Sequence, residues 1–480
     1  MLHIPSARGA SEMRPGQDPA REPLLEEPRM SATPAPTHID LPELFTRRAT
    51  LERWLAVEAA LSRAQAAHGV IPAQAADRIE ACANLGSVDI DEVTRRQSET
   101  GHTMMGLVLA LSDAVGDEHG GWVHWGATTQ NVEQTAHVLA VRDAHVELLA
   151  RLGRVLAALA SLAEEHAETT MAGRTHWRQA LPITFGYKVS AWIDALLRSK
   201  ERMAECEKRL FTAMAGGAVG TFASMGPIGP AVQDEFAARL GLRPMPVPNR
   251  SLQDPFAEYV GILALLCASL TAIGDEIALL MSDEFDELAE PTFAGQVGSS
   301  TMPQKRNPGK CGEITIVASQ VMALVPLALQ GVQHSHEVEG ARSVIVERAV
   351  EQAIMGTGRG LTLVAEVLEG LEVRTEAMTR NLEISRGLIV AEALMLGLAG
   401  KTGRQRAHHL VHEIAERSQD DGRPFDDALR ADPRVAELAT PEELERWLDP
   451  SQYSGLSADI ARSTAARARE AIERNGESPC

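Results

Sequence analysis

Residues 141–162 read Val141-Arg-Asp-Ala-His-Val-Glu-Leu148-Leu-Ala-Arg-Leu152-Gly-Arg-Val155-Leu-Ala-Ala-Leu159-Ala-Ser-Leu162. The apolar positions Val141, Leu148, Leu152, Val155, Leu159 and Leu162 fall at spacings built from threes and fours. Residues so spaced share one face of an α-helix, and the stretch predicts a single long helix with a continuous apolar stripe. Similar long patterns cover roughly 186–214, 255–284, 309–333 and 343–370. Five long helices joined by glycine- and proline-containing loops predict an all-α chain built around a helical bundle.

Composition agrees. The chain has 480 residues, 44% of them hydrophobic but only 4% aromatic. Aliphatic, alanine-rich packing favours helices over sheets. The net charge of −20 argues against a nucleic-acid partner. It still permits an anionic substrate where cations are gathered in a site. No apolar run reads as long enough to span a bilayer, and no membrane partner is expected. The five cysteines (Cys82, Cys206, Cys267, Cys311 and Cys480) are scattered. They read as reduced thiols of a cytoplasmic protein, with no zinc-ligand spacing.

The chain divides into four stretches. Residues 1–37 hold seven prolines among charged and small residues and are expected to be a disordered tail without a secretory core. Met30 is a candidate start, since the folded pattern begins near Leu41. Residues 38–135 are expected to form an N-terminal helical domain, with Leu51, Trp54, Leu55, Val57 and Leu61 at helical spacing. Residues 136–385 hold the bundle. Residues 386–480, punctuated by Pro424, Pro433 and Pro441, form a small C-terminal helical domain.

Four constellations carry chemistry. Gly298-Ser-Ser-Thr-Met-Pro-Gln-Lys-Arg-Asn-Pro308 puts Ser299 and Ser300 on a glycine-hinged loop, with Lys305 and Asn307 downstream. A serine serves as a base only beside positive charge and N–H donors, which Lys305 and the loop backbone supply. Gly173-Arg-Thr-His176-Trp-Arg-Gln179 precedes what reads as a proline-started helix at Pro182. A histidine between arginines near a helix N-terminus suits an anion and a proton donor. His124-Trp-Gly-Ala-Thr128-Thr129-Gln-Asn131 opens the long helix. Its hydroxyls serve as N-cap, as carboxylate cradle, or as both. His102, in Glu99-Thr-Gly-His102-Thr-Met-Met105, reads equally as an active-site or a structural histidine. The glycines of 216–220 do not follow a strand, and a dinucleotide loop is excluded. No cofactor or metal is implied. No histidine has convincing metal spacing together with carboxylates, although His408 and His412 are one helical turn apart.

Taken together these strings resemble the fumarase/aspartase superfamily over nearly all of residues 41–470. The resemblance implies a central long-helix bundle, a homotetramer with sites shared between subunits, and elimination from a small dicarboxylate that releases fumarate. By it, Ser299 matches the catalytic base and His176 the general acid, with His102 as a second active-site histidine. Thr128, Thr129, Lys305, Asn307, Ser300 and Gln179 match substrate-binding positions. His334, His336 and Glu337 resemble a later family block.

The branch is narrowed by departures. Leu44–Thr50 and Gly216–Thr221 resemble the 3-carboxy-cis,cis-muconate cycloisomerases, but those carry Trp where this chain has His176. Adenylosuccinate lyases carry a Gln-Arg-Asp-Arg block where this chain reads Leu252-Gln-Asp-Pro255, and His-Glu-Arg-Asp where it reads His336-Glu-Val-Glu339. A nucleotide phosphate needs such cations. The profile resembles the nitrosuccinate lyases of secondary metabolism. A carbon–nitrogen lyase releasing nitrite is therefore expected, with the cycloisomerase and adenylosuccinate lyase as alternatives.

Overall fold

The computed structural model describes residues 39–292, 295, 298, 300–302 and 304–474. The expected tail and Cys480 lie outside the described residues. The expected all-α class is what the chain adopts. In the N-terminal region, α1 (Arg47–Ala67) and α2 (Thr103–Val115) are the longest helices. Five long helices follow: α3 (Thr129–Glu165), α4 (Phe185–Leu210), α5 (Asp254–Leu280), α6 (Gly309–Ala323) and α7 (Gly340–Glu369). A short helix, Val325–Gly331, continues α6.

The stripe read from 141–162 is the core face of α3. Leu148, Leu152, Val155, Leu156 and Leu159 are all fully buried. Each such side chain contributes about 2 kcal/mol of apolar burial. The helices alternate in direction. Gln253, just before α5, donates to Ser343 Oγ near the start of α7 at 3.0 Å. Further on, Arg151 of α3 reaches Gly358 O of α7, and Arg154 clasps Glu369 at the end of α7 with two bonds of 2.6 Å. Thus α3, α5 and α7 begin at one end of the bundle. At the other end α4 begins just after α3 stops, and Lys310 of α6 pairs with Glu366 of α7. The last helix, α8 (Ser457–Glu473), packs back on α3 and α4. A second apolar cluster gathers Leu394, Leu398, Leu410, Ile414, Phe425 and Leu429 within five shorter helices between Ala391 and Leu448.

By length and composition, two helices reach the span of a bilayer, Asp254–Leu280 and Gly309–Gly331, which corrects the expectation that no apolar run does. The sequence pattern hides this because polar neighbours flank both runs. The most apolar window of the first is 61% buried, and that of the second only 22%. Ile316, Leu327 and Leu329 lie exposed along the second. Cys82, Cys206, Cys267 and Cys311 are buried free thiols. Burial pushes Cys206 up to about 12 and Cys267 up to about 11, which leaves both protonated and unreactive.

Candidate active site

The candidate residues fall into two groups at opposite ends of the bundle. The first surrounds the start of α3. His124 (φ 60°) and Gly126 (φ 68°) turn the chain back before the helix. Thr128 is the N-cap residue, and its N–H donates to Asn131 Oδ1 at 3.1 Å. Thr129 opens the first turn. His102 caps α2, its Nδ1 accepting from Met105 N at 3.3 Å. Thr103 Oγ1 donates to Glu133 Oε1 at 3.0 Å and ties α2 to α3. The structure therefore brings His102, Thr128 and Thr129 to one end, and both histidine and threonine serve as caps.

Sequence reasoning missed two features here. Glu58 of α1, almost wholly buried, lies 2.5 Å from His124 Nδ1. Burial pulls the imidazole down, but the charge and hydrogen bond of Glu58, with Glu133 beyond, raise it overall. Glu58 thus shifts His124, four residues before Thr128, toward its charged form relative to a free imidazole. Sixty-six residues separate the partners, and no local pattern joins them. The second feature is a group of carboxyls. Glu347 of α7 is pushed up to about 7, by burial first and then by the charges of Glu133 and Glu351. The glycine stretch also belongs here, since Ser224 Oγ donates to Gly126 O at 3.1 Å and a Cβ on Gly217 would meet the same carbonyl at 3.5 Å.

The second group lies at the far end. The expected proline-started helix after His176 is not there. Instead β1 (Thr170–Thr175) and β2 (Arg178–Thr184) form an antiparallel hairpin. Pro182 is a strand residue opposite Ala172, and α4 starts three residues later, capped by Thr184 Oγ1 accepting from Tyr187 N at 3.2 Å. His176 (φ 50°) and Trp177 (φ 62°) are the two residues of the hairpin turn. Both being left-handed matches the right-handed twist of the strands, at a steric cost that Asn-Gly would avoid. The turn projects both side chains outward, and Trp177 is 90% exposed.

The rest of the string anchors this turn. Arg174 makes two bonds to Glu287, of 2.6 and 3.0 Å, and its Cζ sits 4.6 Å from the Phe285 ring centroid. Glu287 is fully buried and also accepts from Asn381 Nδ2 at 2.9 Å. Gln179 Nε2 donates to Asn381 O at 2.5 Å, while its Oε1 is buried without a partner. A cavity of about 650 Å³ opens beside the hairpin, lined by Trp177, Arg178, Phe285, Arg386 and Arg423 among others, with His176 outside its wall.

The signature loop enters α6 at this same end. Ser299 lies outside the described residues. Ser300 is exposed, its hydroxyl 3.5 Å from Thr301 Oγ1. Asn307 Nδ2 donates to Gly298 O at 3.1 Å and clasps the loop, and Lys305 is exposed beside it. Glu290 accepts from Lys310 N (3.1 Å) and Cys311 N (2.6 Å), capping α6. The 37 residues of α3 stand between the two groups. At 1.5 Å per residue that is about 55 Å, too far for one substrate to touch both within one chain.

A bundle with helix-start threonines at one end and a lysine–asparagine loop at the other matches the family model described as lyase over residues 37–323. The chain belongs to the fumarase/aspartase superfamily of lyases. Residues 387–464 of this lyase match the model of the adenylosuccinate lyase C-terminus. It is 39% identical to an N-acetyl-S-(2-succino)cysteine lyase of Enterococcus italicus, over 87% of this chain and 91% of that protein. It is 33% identical to one of the same name from Dickeya dadantii, over 86% and 90%. The crystal structure of a fumarate lyase from Mesorhizobium sp. BNC1 superposes with a TM-score of 0.82 at 35% identity, covering 89% and 97%.

Proposed function

We propose that this lyase performs β-elimination on a 2-substituted succinate and releases fumarate with a thiol. The observation that carries the reading is the succession of succinate-binding residue types at the motif positions, Thr128, Thr129, Lys305 and Asn307, together with a segment poorly suited to a nucleotide phosphate. Where that phosphate would need guanidinium groups, the chain has Leu252-Gln-Asp-Pro255, and Gln253 is a buried amide bonded to Ser343. Arg250 is nearby, but with neither arginine of that block present a phosphate dianion would be only partly neutralised, which is costly. The 39% and 33% relatives named for a succinylated N-acetylcysteine favour sulfur as the leaving atom over the nitrogen expected from sequence.

In this reading Thr128 and Thr129 of one copy, with Lys305 and Asn307 of others, hold the two carboxylates. Ser299 takes the proton from the carbon β to the leaving group. The C–S bond breaks as the C=C bond forms, and the electron pair leaves on sulfur. A thiolate leaves with little help, since a free thiol has a pKa of about 8.5. His176 or His102 then returns a proton to it. Closing the glycine-hinged loop excludes water and strengthens each charge. The two ends of the bundle meet where copies pack antiparallel, and the exposed apolar face of Gly309–Gly331 suits that packing. Four copies are the assembly expected.

The test is fumarate absorbance on mixing with a panel: S-(2-succino)cysteine, its N-acetyl form, nitrosuccinate, adenylosuccinate, aspartate, argininosuccinate and carboxymuconate. Fumarate from the thioethers, reduced about 10²–10⁴-fold in Ser299→Ala, is the expected result. Release from nitrosuccinate alone would return the reading to nitrogen. No fumarate from any compound would overturn elimination altogether.

A further inference from the structure

Arg250 stands at the Thr128 end and is half-buried. Its Nε donates to Gln130 Oε1 at 2.8 Å and its Nη1 to Ala218 O at 2.9 Å. Gln130 Nε2 donates back to Arg250 O at 3.0 Å. Gln130 follows Thr129 in the first turn of α3, and Ala218 lies in the glycine stretch against Gly126. Two neutral acceptors thus hold the guanidinium without neutralising it.

Among the described residues no carboxylate lies within ion-pair distance of Arg250. Burial pulls its pKa down and the more distant Glu133 pulls it up. Glu133 itself is engaged with the Thr103 hydroxyl, and burial pushes its carboxyl up. A second observation points the same way. Asn131, next after Gln130 and 2% exposed, has a buried Nδ2 with no partner. A half-buried guanidinium held by neutral acceptors alone, with an unused buried N–H donor in the same first turn of α3, marks this end of the bundle as a site for an anion.

The succinate carboxylates already have Thr128, Thr129, Lys305 and Asn307. We propose that Arg250 is a specificity residue that receives a carboxylate on the leaving group, making the substrates succinyl thioethers whose thiol half is itself an acid. The inference rests on the sulfur-elimination reading. Nitrite has no further group for Arg250 to hold. A planar fork held on two edges presents its remaining N–H groups in the geometry a carboxylate accepts.

The experiment compares two substrates that differ in one group: N-acetyl-S-(2-succino)cysteine and N-acetyl-S-(2-succino)cysteamine, which lacks the thiol-side carboxylate. The wild-type enzyme is expected to prefer the first by about 10- to 100-fold in kcat/KM, mainly through KM. Arg250→Gln brings the ratio close to one, and Arg250→Lys restores part of it. The ratio is taken within each variant, so a partly unfolded preparation does not change it. Equal losses on both substrates in Arg250→Gln, or no preference in the wild type, would overturn the assignment. So would adenylosuccinate turnover abolished by Arg250→Gln, which would make the anion a phosphate. Fumarate from nitrosuccinate and from neither thioether would instead overturn the sulfur reading, and this inference with it.

Discussion

Mixing two inactive variants should restore activity. In one, Thr128 and Thr129 are both replaced by Ala; in the other, Lys305 is replaced by Ala. Each alone should be nearly silent, because every site lacks one group. In the proposed shared site, the separation of about 55 Å along α3 takes the threonines and the lysine from different chains. After unfolding and refolding a 1:1 mixture, a given site draws its threonines intact in half the cases and its lysine intact in half. About one quarter of the sites are then whole, and fumarate production should reach about one quarter of wild-type. Subunit exchange is verified by native mass spectrometry of differently tagged variants. Mixed oligomers without activity would refute the shared-site argument. So would a Thr128/Thr129 variant that keeps turnover by itself.

Two further outcomes follow from buried charge. Arg174→Ala leaves the fully buried Glu287 without its guanidinium and should lower stability by about 3–5 kcal/mol, read as a fall in the urea midpoint. A midpoint within error of wild-type would show that the pair is dispensable. Glu347 is raised from 4.5 to about 7 by burial and neighbouring acids. The folded state thus keeps its proton where the unfolded chain has lost it. Its contribution is full below about pH 4.5 and falls away as pH rises to about 7, by about 3 kcal/mol in all. Glu347→Gln should flatten this decline in denaturant midpoints measured from pH 5 to 8. Parallel profiles for the two proteins would contradict it.

The bundle was legible in the sequence because one physical rule covers it. An aliphatic stripe such as Val141–Leu162 repeats at the helical period and has only one way to be buried. The hairpin around His176 was not. Its turn is His-Trp rather than Asn-Gly, and Pro182 looks like a helix start although it lies in a strand. What enforces it is tertiary, the lock of Arg174 onto Glu287 and of Gln179 onto Asn381. The His124–Glu58 pair and the clamp on Arg250 escaped for the same reason, since their partners lie far away in sequence. Thr128 reads as cap, as ligand or as both, and at the N-cap position its backbone N–H donates to Asn131 Oδ1. The proposed base at Ser299 rests on the motif that surrounds it.

The length of α3 bears on how the enzyme comes alive. If sites are shared as proposed, a newly made polypeptide holding its threonines and its lysine–asparagine loop at opposite tips of a rod is chemically mute until it meets others of its kind. In dilute solution the specific activity should therefore climb with protein concentration and level off only once assembly is complete.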